Sequence, residues 1–206
     1  MRYYLKQFSV FIFLLFPTHV FSNDMTVQEL FFDETTPYHL KILEALPESA
    51  IIEFGPKDAK NTIIEFMDYF CGYCKKIHPE LIALTEKRDD TRVIFLQHPI
   101  LSESSKIIAA MVIAANLQNK GWEMHHGLFT VKGSITQEKL DQIIIDAEIN
   151  KIKLMIDIGK DEIKNIVKLS SFLAMGSGAR GTPALFINEE FYGGYLPLDK
   201  LERILK

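Results

Sequence analysis

Cys71 and Cys74 are the only cysteines in the chain, three positions apart in Phe66-Met67-Asp68-Tyr69-Phe70-Cys71-Gly72-Tyr73-Cys74. Two thiols at that spacing can form and break a disulfide. Residues 63–69 are rich in β-branched and aromatic side chains and are short enough for a buried strand. The residues after Cys71 read as a helix to about Lys87, with a kink expected at Pro79. Cys71 is therefore expected where a central strand ends and a helix begins. A helix N-terminus offers unpaired N–H groups and the positive end of the dipole. A thiolate there is stabilised, so its pKa falls. Cys74 lies about 4.5 Å further along the helix axis, which suits the roughly 5.5 Å Cα separation that a disulfide prefers. The reading assigns Cys71 as the exposed attacker and Cys74 as the more buried resolving thiol.

Three other readings compete. A zinc site needs further ligands; His78 follows Cys74 by one helical turn, and no fourth ligand is obvious. A purely structural disulfide across so few residues gains little from loop closure. Two ordinary core cysteines are the third.

The elements that must position the pair come from the rest of the 206 residues, enough for one medium domain with a good core. Hydrophobic content of 48% and charged content of 24% are ordinary for a globular chain. The first 22 residues read as a secretory signal. Arg2 and Lys6 make a positive start, residues 8–16 are apolar but short for a membrane span, Pro17 breaks the run, and cleavage is expected after Ser22. An uncleaved anchor is the alternative. The net charge is −4, and removing Arg2 and Lys6 makes the mature chain more acidic, which argues against nucleic acid as a partner. In an oxidising compartment a lone Cys-x-x-Cys pair reads as a catalyst rather than a staple.

Residues 23–50 read as a separate helical segment. Thr26-Val27-Gln28-Glu29 fits a capping box. Thr36-Pro37 reads as N-cap and first residue of a second helix, with Tyr38, Ile42, Ala45 and Leu46 on one face. That face packs either on the same chain or on a second copy, giving a homo-oligomer. Ile51-Ile52-Glu53-Phe54 reads as an edge strand, and residues 92–97 as a third strand ended by His98-Pro99. From 102 to about 176 the pattern is helical. Its apolar faces are Ile107, Ile108, Met111, Val112 and Ala115; Leu140, Ile143, Ile144 and Ala147; and Ile163, Ile166, Val167, Ser170, Leu173 and Ala174, the last ended by Gly176. Residues 122–129 read as a turn-rich helix whose His125 and His126 point to different faces, one packed and one solvated. Two strands, 184–187 and 191–192, flank an Asn188-Glu189-Glu190 connection, Gly193-Gly194 breaks the second strand, and Pro197 opens a last helix. This is an α/β layout whose sheet is split by a helical block.

The cysteine motif, the helical block and Gly181-Thr182-Pro183 before a strand together resemble the DsbA-like branch of the thioredoxin superfamily, over residues 51–206. The resemblance implies a thioredoxin-like fold with a large inserted helical domain, and thiol–disulfide exchange without a cofactor or metal. It implies Cys71 as nucleophile and Cys74 as resolving thiol. It implies a cis Pro183, with Thr182 binding substrate backbone. Glu65, six positions before Cys71, matches the family's buried acid, which could take the Cys74 proton. For Glu65 the alternative is an exposed strand carboxylate. Tyr73, Thr182 and Pro183 would line a substrate groove. Gly72-Tyr73 is similar to the dipeptide of DsbC-type isomerases, and Thr182 also leans that way. The expected function is a periplasmic disulfide oxidoreductase of isomerase or reductase type acting on exported proteins. A DsbA-type oxidase is the alternative, and a redox-inert peptide-binding or metal-carrier module is another. The resemblance implies a membrane redox partner of DsbB or DsbD type.

Overall fold

The structure is a computed structural model and describes residues 35–205. The expected signal segment and the Thr26–Glu29 capping box lie outside the described residues. Helix α1 (Tyr38–Ala45) and a single 3-10 turn (Glu48–Ala50) lead into β1 (Ile52–Phe54) and β2 (Asn61–Met67). Then come α2 (Gly72–Lys87) and β3 (Thr91–Gln97). Five helices follow: α3 (Glu103–Asn116), α4 (Gly121–Thr130), α5 (Gln137–Asp146), α6 (Lys151–Asp157) and α7 (Asp161–Gly176). The chain closes with β4 (Ala184–Ile187), β5 (Glu190–Gly193) and α8 (Leu198–Ile204).

The sheet order is β1-β3-β2-β4-β5. β2 runs parallel to β3 and antiparallel to β4, so it is the centre, while β1 is an edge, as expected. All seven residues of β2 are buried, the mark of a strand covered on both faces. Its side chains alternate between two cores. Ile63 and Met67 join one with Cys74, Ile77, Val93 and Phe95; Ile64 and Phe66 join the other with Ile94, Leu96 and Phe186. Burying each such side chain contributes about 1.5–3 kcal/mol. The α/β expectation therefore holds, with the helical block inserted between the two strands that flank β2.

Several local expectations change. α3 belongs to both cores, so nearly every residue from Ile108 to Ala115 is buried, while Ile107, expected inside, is 56% exposed. α2 runs through Pro79 to Lys87 without a break. Pro37 is the cap rather than the first residue of α1. The α1 face of Ile42, Ala45 and Leu46 is taken up by the chain's own second core, beside Ile64 and Leu173. α7 does end at Gly176, as expected, with Ser177 as its cap; Gly178, at φ +94°, then turns the chain while Ala179 N–H donates to Ala174 O and Gly178 N–H to Met175 O. Ile187 pairs with Glu190, so the hairpin turn is Asn188-Glu189 alone, and Glu190 belongs to β5. α6 was not expected; Asn150 caps it by accepting from Lys153 N–H at 2.9 Å.

The β1–β2 turn depends on Gly55, at φ +104°, where an added Cβ would lie 2.5 Å from Thr85 Cγ2 and 2.8 Å from Thr91 O. Gly55→Ala is expected to lower stability by about 2–3 kcal/mol. A fall in the urea midpoint at unchanged slope would report it, and an unchanged midpoint would contradict this role for the turn.

Candidate active site

β2 delivers the chain to the site through Asp68-Tyr69-Phe70. The Asp68 carboxylate is 1% exposed. One oxygen accepts from Phe70 N–H at 2.9 Å, the local turn that Asp favours. The other accepts from Ile100 and Leu101 N–H, each at 3.0 Å. Asp68 O accepts from Cys71 N–H at 3.0 Å. One carboxylate thus ties the turn before the cysteines to the loop after β3. Sequence reasoning missed Asp68, although an Asp two residues ahead of a turn N–H is a legible signal.

Cys71 caps α2, with φ −79° and ψ 119°, and its carbonyl accepts from Lys75 N–H at 3.0 Å. Both cysteines are thiols in this structure. Cys71 Sγ donates to Thr182 O at 3.2 Å. The Thr182–Pro183 bond is cis, and Pro183 O accepts from Gly194 N–H at 2.9 Å, fixing the loop to the end of β5. The Cys74 thiol hydrogen bond, opposed by burial and helped by the Thr182 side chain and the Tyr73 and Cys74 N–H groups, lowers the Cys71 pKa to about 5. The expected exposed attacker is recessed: Cys71 is only 8% exposed, because the cis-proline loop lies against its sulfur, though Cys74 is buried completely. Burial pushes the Cys74 thiol far up, and its bond to Cys71 and the charge of Glu65 push the same way.

Glu65 is fully buried at the sheet centre, opposite Phe95 on β3 and Leu185 on β4, which overturns the exposed-carboxylate alternative. The two-residue period puts its side chain on the Ile63 and Met67 face, the core that holds Cys74. Neither carboxyl oxygen has a hydrogen-bond partner of ordinary geometry. Burial holds its pKa well above the carboxylate range; the Cys74 thiol tempers the rise and the Cys71 charge adds to it. Burial thus favours the protonated forms of Cys74 and Glu65, while the Cys74 thiol and the first N–H groups of α2 favour the ionised form of Cys71.

Tyr73 is 62% exposed and sits near Tyr195, with ring centroids 6.0 Å apart. Tyr195 O–H donates to Glu80 at 2.7 Å and Lys76 Nζ stands 4.2 Å over its ring. The histidines differ from expectation. His125 is buried and His126 half-buried, but both reach His78: the His78 and His125 centroids are 5.1 Å apart, and His78 Nε2 lies 3.1 Å from His126 Nδ1. Tyr69 O–H bonds His125 Nδ1 at 2.8 Å. Burial and the neighbouring His126 lower the His78 pKa to about 3. Among the described residues no group of three or more His, Cys, Asp or Glu is arranged to hold a metal ion.

Alkylation of Cys71 in the dithiol form is expected to rise with a midpoint at about pH 5. Cys74→Ala, which removes the largest cause, should move that midpoint toward ~8.5, the ordinary thiol range. The depressed pKa also adds stability to the dithiol form. That contribution is complete above the unfolded pKa of ~8.5 and is lost as pH falls through the folded value. Iodoacetamide rates across pH for both proteins check this; equal midpoints would refute it.

A family model described as Thioredoxin matches residues 48–206. The chain spans about a quarter of the length of the curated relatives it matches first, such as a Na(+)/H(+) antiporter NhaA of Salinispora arenicola, at 24% identity over 71% of this chain and 23% of that protein. It is 21% identical to Disulfide bond formation protein D of Bacillus subtilis, covering 74% of each. Among solved structures, the catalytic domain of Proteus mirabilis ScsC is 27% identical, with TM-score 0.71 over 82% of this chain and 94% of that one. A periplasmic thioredoxin-like protein from Salmonella enterica serovar Typhimurium is 28% identical, with TM-score 0.70 over 80% and 93%. With the cysteine pair at the strand–helix junction, the cis-proline beside it and the helical block between β3 and β4, the chain belongs to the thioredoxin family.

Proposed function

We propose that the protein is a thiol–disulfide oxidoreductase that exchanges disulfides with exported polypeptides through Cys71 and Cys74. The observation that carries this is the Cys71 sulfur at the start of α2, 3.2 Å from Thr182 O, with its pKa lowered to about 5. A thiolate is the attacking species, and one with a low pKa is also a good leaving group. Cys71 attacks a substrate disulfide, forms a mixed disulfide and releases one substrate thiolate. Burial keeps the Glu65 pKa high, and loss of the Cys71 charge removes a smaller cause of that rise; in its ionised form Glu65 takes the Cys74 proton. Cys74 next displaces the substrate sulfur and closes the Cys71–Cys74 disulfide, leaving the substrate reduced by two electrons. Run backwards, the same steps oxidise a substrate. Thr182 and Pro183 present backbone to an extended chain, and exposed Tyr73 and Phe70 flank the sulfur.

Between the two directions, Gly72-Tyr73 and Thr182 favour the isomerase or reductase mode, in which a membrane partner of DsbD type keeps the pair reduced. An oxidase recycled by a DsbB-type partner is the second reading. A periplasmic location is supported by Arg2, Lys6 and apolar residues 8–16, and by the periplasmic relative from Salmonella. A second copy of the chain is a further candidate partner, through the part of segment 23–50 that the chain's own core does not take up.

The reduced protein should restore activity to a scrambled, wrongly disulfide-bonded test enzyme, and Cys71→Ser should abolish the recovery. No recovery by the unaltered protein, together with rapid oxidation of a reduced substrate by its disulfide form, would replace the isomerase reading with the oxidase one.

A further inference from the structure

Phe70, the residue before the nucleophile, is 41% exposed although Cys71 is recessed, and Asp68 fixes it by accepting from its N–H at 2.9 Å. Phe70 lines a groove of about 420 Å³ between α3, α5 and α6. The apolar walls include Ile107, Met111, Ile135, Leu140 and Met155, and Tyr73, Thr182 and Pro183 are not among them. The volume is that of a small ligand site. Among the described residues the lining carries one charge, Lys151, whose Nζ is bound to Asp141 at 2.8 Å. Phe70, Ile107 and Met155 are all exposed, and large apolar side chains left open around one depression mark a surface that binds something. Two of the walls are methionines, whose unbranched, polarizable side chains adapt to apolar groups of different shape.

The loop between α4 and α5 supplies one rim of the groove, and two ammonium groups hold its shape. Lys75 Nζ donates to Val131 O and, at 3.4 Å, to Gly133 O. Lys139 Nζ donates to Lys132 O at 2.6 Å and to Ser134 O at 3.2 Å. Four successive carbonyls thus go alternately to one lysine and the other, and the next two residues, Ile135 and Thr136, line the groove. Lys75 directly follows Cys74, so the helix that carries the redox pair also holds this rim. The groove therefore shares Phe70 with the turn before Cys71 and its rim with the turn after it, and it is continuous with the reactive site. We propose that it takes one bulky apolar side chain (leucine, methionine or phenylalanine) within a few residues of the cysteine that a polypeptide substrate presents to Cys71. Met155 and Ile107, its exposed walls, select that side chain. A charged side chain gains nothing there, since burial penalises it. Residues of this kind are mostly buried once a protein has folded, so the groove directs disulfide exchange to chains that have not closed their cores.

The inference rests on the disulfide-exchange reading, and one assay separates the two. Short peptides with a single cysteine, differing in one nearby residue, are capped as mixed disulfides with nitrothiobenzoate and added to the reduced protein. The Cys71 thiolate attacks the peptide sulfur, and the coloured aryl thiolate leaves with the electron pair of the broken bond. Cys74, its proton taken by ionised Glu65, then displaces the peptide thiolate, so the substrate disulfide is reduced by two electrons and the cysteine pair is oxidised. Each release rate is divided by the rate with free glutathione. Leucine, methionine or phenylalanine at the favoured position should raise this value about tenfold over serine. Met155→Glu and Ile107→Ser should each bring that ratio close to one, while capped cysteine without neighbours reacts as before. Met155→Glu should also prefer lysine at that position, reversing the selection. No apolar advantage in the unaltered protein would overturn the groove, as would an advantage that both substitutions leave intact. A dimer, or sedimentation with phosphatidylglycerol vesicles, that Met155→Glu abolishes would assign the groove to a second copy or to a membrane and overturn the proposal equally. Should Met155→Glu not fold, Ile107→Ser decides. If the unaltered protein releases no aryl thiolate even from capped cysteine, the exchange reading itself fails.

Discussion

The structure depends on a strand that must be buried on both faces and then stop at a thiol. β2 is covered on both faces and paired on both edges, so its direction and register are tightly fixed. Every side chain it carries has a dry destination, including Glu65. Where β2 ends, Asp68 spends its carboxylate on three backbone N–H groups, and the chain turns into α2 with Cys71 as its cap. The position of the sulfur is thus inherited from the centre of the sheet.

That inheritance creates an electrical asymmetry within four residues. Cys71 stands at the mouth of α2, where unpaired N–H groups and the Cys74 thiol stabilise its charge. Cys74, inside the same turn, is buried completely beside the Cys71 thiol and a buried carboxyl, so its charge is penalised. The difference needs no cation and no metal. Burial supplies the cost on one sulfur and the helix end supplies the relief on the other, so the backbone itself sets the two thiols apart in acidity.

Much of this was legible in the sequence because short-range physics governs it. The apolar run 63–67, the cysteine spacing, the Gly181-Thr182-Pro183 motif and the stripe of α7 each carry their signal within a few residues. What was not legible depends on elements meeting from a distance. Ile107 is exposed because α3 serves two cores, a property no single periodic stripe encodes. His125 and His126 are adjacent, so helical geometry argued for opposite environments; both meet His78, which a different helix, α2, brings to them. Cys71 looked exposed from its own segment, and only the loop arriving from residue 182 recesses it. The fold class survives such errors because it rests on many independent segments. The site is more fragile to read, since one loop from far along the chain changes it.

The helical block between β3 and β4 has a further consequence, which concerns the order in which the molecule comes together. β2 and β3 are joined through α2 alone and can pair early. β4 must cross the whole span from Gln97 to Ala184 before it reaches β2. The entropy of closing so long a span grows only slowly with its length, but pairings between remote segments are made late in folding. The loop that covers the Cys71 sulfur therefore reaches it only through the connection that spans the whole helical block, so the cover on the thiol depends on a pairing far more remote in sequence than the strand and helix that carry it.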